Sequence, residues 1–129
     1  MSDILRRRRH ERDQLIEQAR VFARELDRRI GLEVAIVTGS VARGDFNVWS
    51  DVDLLIVSTN LEERAPDRNL QLNIDAPVGL QVIGMSPSER DAARRRMNRL
   101  VLEAEQLGVV VFPEDRAHPH SEPGVAAGP

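Results

Sequence analysis

Apolar residues recur at three- and four-residue spacing from about residue 3 to residue 29, at Leu15, Ala19, Phe22, Leu26 and Ile30, with Arg and Glu filling the other positions. That period predicts one long amphipathic helix with a single face on a core, ended by Gly31. Glu25 and Arg29, four apart, would add a small increment of stability on its polar side. The pattern then changes. "LEVAIVTG" and "DVDLLIVS" are apolar runs without sustained alternation, as expected of strands covered on both faces. "VGLQVIGM" predicts a third strand and "VVVF" a short last one. Between the second and third, "TNLEERAPDRNLQLNIDAP" has no sustained period and contains Pro66 and Pro77, which predicts a loop with one helical turn near residues 61–64. "SPSERDAARRRMNRLVLEAEQLG" opens on Ser-Pro and predicts a single helix running to Gly108, with Ser86 and Glu89 as a capping box. From Pro113 the chain is rich in Pro, Gly and Ala, so residues 1–112 read as one domain and 113–129 as a flexible tail.

Composition narrows the classes. A chain of 129 residues with three Phe, one Trp and no Tyr must pack on Leu, Val, Ile and Ala, and offers few rings on which bases could stack. The absence of Cys excludes disulfides and thiolate metal sites. No run approaches the length that spans a bilayer or forms a signal peptide, which points to a cytoplasmic protein with no membrane partner. All 18 basic residues are Arg, and the formal net charge is -3, which argues against general affinity for polyanions. Residues 1–30 hold nine Arg against six acids, a modest local excess whose interleaved acids cancel most of the field. Nucleic acid is therefore not the expected partner. His118 and His120 both lie in the tail, without further ligands beside them.

Candidate chemistry gathers in "TGSVARGDFNVWSDVDLLIV", residues 38–57. In a strand, residues two apart project to one face, so Asp51 and Asp53 would stand side by side where a strand otherwise built for burial begins. Two adjacent carboxylates repel unless a cation joins them, and Mg²⁺ takes such oxygen ligands together with substrate phosphates. The preceding strand ends in Gly39-Ser40. A glycine there permits close backbone approach, the following turn offers N–H groups to an anion, Ser40 adds a hydroxyl, and Arg43 can neutralise a phosphate oxygen. Gly44 lets the chain reverse, and Ser50 leads into the carboxylate pair. The whole constellation points toward a metal-bound nucleoside triphosphate.

"GSVARGDFNVWSDVDLLIV" resembles the Gly-Ser...Asp-x-Asp motif of the nucleotidyltransferase superfamily that includes DNA polymerase beta, and the short chain is most similar to the minimal nucleotidyltransferases of bacteria and archaea. The resemblance implies an α/β (α+β) fold, a small mixed sheet flanked by helices with a long first helix. It implies that Gly39, Ser40, Arg43 and Ser50 bind the nucleotide, that Asp51 and Asp53 hold Mg²⁺, and that a nucleoside monophosphate, AMP if the donor is ATP, passes to an acceptor hydroxyl. A HEPN-type ribonuclease partner, modified by an antitoxin, is the acceptor that many minimal relatives suggest. The family's third carboxylate belongs on the next strand, where this sequence has Gln81. Asp45, Asp75 and Glu89 are the acids near enough in sequence to substitute. Loss of the third acid favours an alternative, a nucleotide-binding or partner-binding module with weakened catalysis.

Overall fold

The first period is realised as helix α1, Ser2–Ile30, in a computed structural model that describes residues 2–38 and 52–114. Its buried face comprises Ile16, Ala19, Phe22, Ala23 and Leu26, with Leu15 and Ile30 half-buried at the margin. Gly31 ends the helix with φ +80°, a backbone state that costs glycine little, and donates its N–H to the Asp27 carbonyl at 2.8 Å. Arg29 does not turn to Glu25 as expected. It reaches Asp75, across a gap of 46 positions in sequence, at 2.9 Å.

Four strands follow: β1 Val34–Thr38, β2 Val52–Val57, β3 Leu80–Met85 and β4 Val109–Phe112. They lie in the order β3-β2-β1-β4, with β1 antiparallel to both β2 and β4 and β2 parallel to β3. The sheet is mixed, as the resemblance implies. Both faces of its centre are covered. Val37, Leu54, Ile56 and Val82 pack with Phe22 and Leu26 of α1, while Val34, Ile36, Leu55 and Val57 meet Ala104 on the other side. Alternation is absent from these two strands because neither face meets water.

Two expectations are corrected. The segment after β2 is a helix, α2 Ala65–Asn73, and residues 61–64 are not helical. Pro66 sits in its first turn, where no backbone N–H is needed, and Leu72 is its buried residue, so little apolar period exists to be read. Asn73 fixes it to the sheet edge, donating to the Val82 carbonyl at 3.0 Å and accepting the Val82 N–H at 2.9 Å, as a neighbouring strand would.

The second correction concerns the long segment after β3, which breaks into α3 Pro87–Arg95 and α4 Arg99–Leu107. Met97 takes φ +61°, and the Asn98 side chain accepts the Val101 N–H at 3.2 Å, starting a fresh helix. The break turns Val101 and Ala104 into the core. Arg90 and Arg94 then converge on Glu105, at 3.0 and 2.5 Å, and clasp the two helices. The capping box forms as expected, with the Glu89 N–H on Ser86 Oγ at 3.1 Å and the Ser86 N–H on Glu89 Oε1 at 2.8 Å. Glu114, just past β4, pairs with Arg24 of α1. Residues 115–129, with His118 and His120, lie outside the described residues. Among the described residues no helix is long and apolar enough to cross a membrane.

Candidate active site

Asp53 is the second residue of β2. The register sets it opposite Thr38 of β1 and Gln81 of β3. Residues directly opposite one another project to the same face, so Gln81, Asp53 and Thr38 form one row across three strands. The row lies on the face of Leu55 and Val57, away from α1. Thr38 is 1% exposed, Asp53 is half-buried and Gln81 is exposed, which grades the row from core to solvent.

Why the row falls at a strand mouth follows from the chain's path. β1 ends and β2 begins at this edge of the sheet, and α4 covers the same face further along, over Ile36 and Leu55, so the row lies beyond its cover. The entry to β2 is pinned by the Val52 N–H, which donates to the Gly79 carbonyl at 2.6 Å. Gly79 itself has φ +92°, a turn conformation that a side chain would strain. The donors in the row are a carboxylate, an amide and a hydroxyl, all hard oxygens of the kind that small divalent cations take. No cluster of three or more His, Cys, Asp or Glu occurs among the described residues.

Of the residues predicted for the site, Asp53 is placed. Gly39, Ser40, Arg43, Ser50 and Asp51 lie outside the described residues, as does Asp45. The two other substitute acids are held elsewhere. Asp75 is bound to Arg29. Glu89 closes the α3 capping box beyond the far end of β3, roughly 13 Å along the strand from Gln81 at the usual rise per residue. It also receives Arg68 at 2.8 Å, and that guanidinium, with the Ser86 backbone N–H, holds its carboxyl below the usual carboxylate range. The position beside Asp53 therefore carries the amide of Gln81. Thr38 is the member of the row that sequence reading passes over, and the signal for it was a hydroxyl ending an otherwise aliphatic run.

The model of the nucleotidyltransferase domain matches residues 16–115, which takes in the second half of α1 and every strand. A crystallised protein of Sulfolobus solfataricus, provisionally described as a nucleotidyltransferase, shares the fold with a TM-score of 0.58 and 24% identity, over 66% of this chain and 78% of that one. No curated protein matches in sequence. The family's members are transferases that use a divalent metal ion and a nucleoside triphosphate. By the extent of that match, the chain belongs to the nucleotidyltransferase domain family.

Proposed function

We propose that this chain transfers the nucleoside monophosphate of ATP, in the presence of Mg²⁺, to an acceptor hydroxyl with release of pyrophosphate. The observation that carries the reading is Asp53, a half-buried carboxylate set between a hydroxyl and an amide at the mouth of an aliphatic strand. Asp51 and Asp53 would hold the ion, and Gln81 can add its carbonyl oxygen at the exposed end of the row. Mg²⁺ supplies charge neutralisation at the transferred phosphoryl group and at the departing pyrophosphate. Gly39, Ser40, Arg43 and Ser50 seat the triphosphate in this reading, with Arg43 opposing its charge. An acceptor hydroxyl on a partner protein, as in an antitoxin acting on a HEPN-type ribonuclease, is the acceptor we favour, and its support is the resemblance of the motif.

Gln81 favours a second reading. An amide does not take a proton from an incoming hydroxyl at ordinary pH, so the row can bind a metal-nucleotide complex more readily than it can activate an acceptor. The two readings separate in one experiment, in which the chain is incubated with Mg²⁺, α-labelled ATP and a cell extract, and label on protein is followed. Transfer by the unmodified chain, increased in Gln81→Glu, supports the enzyme. Nucleotide binding without transfer by either form supports the binding module.

A further inference from the structure

Helix α1 is longer than the domain it serves. The family match begins at residue 16, and among the described side chains of residues 3–14 none is buried. A helical arm of that length gains little from its own hydrogen bonds in water and is ordinarily stabilised by packing. Beside its root, on a flank of α1, lies a groove of about 570 Å³ whose wall includes Gln14, Gln18, Val21 and Glu25 of α1 and Asp75 and Pro77 from the turn after α2.

Glu17 and Phe22 also line it, and within the wall Gln14, Gln18, Val21 and Glu25 form a stripe that steps by four, three and four. Continued toward the start of the helix, the same alternation reaches Glu11, Arg7 and Ile4, so one stripe of seven-residue repeat runs along the arm and the groove. It carries two exposed aliphatic side chains, Ile4 at 57% and Val21 at 39%. A second α1 laid antiparallel with Ile4 on Val21 brings Arg7 against Gln18 and Glu11 against Gln14, and the same contacts then recur in reverse. The stripe is its own twofold mate, over about 25 Å of helix. Charge agrees with the arrangement. Residues 3–13 hold five Arg against three acids, while the groove presents Glu25 together with Glu17 and Asp75, which are paired within the chain to Arg20 and Arg29.

We propose that this flank of α1 pairs antiparallel with the same flank of a second copy of the chain, each arm lying in the other's groove. The dimer so formed leaves the row of Thr38, Asp53 and Gln81 open, because that row is on the sheet face away from α1. The natural chain has no Cys, so paired thiols report the register directly. The full chain carrying both Ile4→Cys and Val21→Cys is expected to oxidise to a covalent dimer, whereas either single substitution is not, since like positions lie far apart along an antiparallel pair. Sedimentation of the unmodified chain should show a dimer whose dissociation constant rises about tenfold or more in Ile4→Asp. Arg7→Glu should weaken it, and Gln18→Arg added to that variant should restore it. A monomeric unmodified chain overturns the proposal. So does cross-linking of the single variants as readily as the double, with circular dichroism confirming that each remains helical.

Discussion

The two ends of strand β2 carry polar side chains of opposite design. At the Val57 end the side chains of Ser58, Asn60 and Asp27 tie the chain to itself. Ser58, fully buried, donates to the Gly31 carbonyl at 2.6 Å and accepts the Asn60 N–H at 3.1 Å, and Asn60 in turn donates to the Ile30 carbonyl at 2.6 Å. Asp27 accepts the Leu32 N–H at 2.8 Å beside them. This end closes the C-terminus of α1 onto the sheet, satisfying carbonyls that a helix end leaves over. At the Asp53 end, polar groups from three strands are instead brought into one row by the register, graded from buried to exposed. One end uses polarity as a fastening, the other arranges it on a surface that a ligand can reach.

The largest expected effect breaks the second end. Asp53→Asn keeps the shape of the side chain and removes the charge, so nucleotide transfer should fall by roughly a hundredfold or more, as when a group aimed at transition-state charge is lost. Its thermal midpoint without metal should hold or rise, because the proposed pair with Asp51 would lose one of its two like charges. A variant that unfolds would make Asp53 a fastening like Ser58. Breaking the first end should do the reverse. Ser58→Ala leaves the Gly31 carbonyl and the Asn60 N–H without their partner, and is expected to cost about 1–3 kcal/mol in denaturant unfolding while nucleotide affinity stays unchanged.

Smaller effects sharpen the contrast at a fastening remote from both ends. Ser86→Ala removes the capping box of α3 and should cost about 1 kcal/mol. Glu89, the other half of that box, has its carboxyl held down by Arg68 first and by the Ser86 backbone second. Its folded-state value is thus below the ordinary unfolded value of about 4.3. The contribution is fully present above that pH and is lost as pH falls through the folded value. Stability measured between neutral and acid pH should accordingly decline below about pH 4.3, and less steeply in Arg68→Gln.

What the sequence shows of all this depends on where burial leaves a period. Helix α1 is legible because Ala19, Phe22 and Leu26 repeat along one face, and β1 and β2 because burial on both faces removes polar residues from their centres. The capping box is legible since its two residues bond each other. Helix α2 is hidden, with one buried residue and a proline that reads as a breaker until its first-turn position is known. The break at Met97 and Asn98 is hidden too, because Asn98 caps a helix whose start is set by the packing of Val101 and Ala104 rather than by any gap in helix formers. That Asp53 stands near the start of an aliphatic strand is legible in the sequence alone. Of its neighbours in the row, Gln81, 28 residues on, is the next-strand position that the resemblance points to, whereas Thr38, 15 residues before, is brought beside it only by the register.

The central claim is that Asp51 and Asp53 hold Mg²⁺ against a triphosphate. Calorimetric titration of the chain with a non-hydrolysable ATP analogue, with and without Mg²⁺, tests it directly beside the Asp51→Asn/Asp53→Asn double variant. The account predicts binding that requires Mg²⁺ and disappears in the double variant. Binding of equal strength in the folded double variant, or none in the unmodified chain, would contradict it.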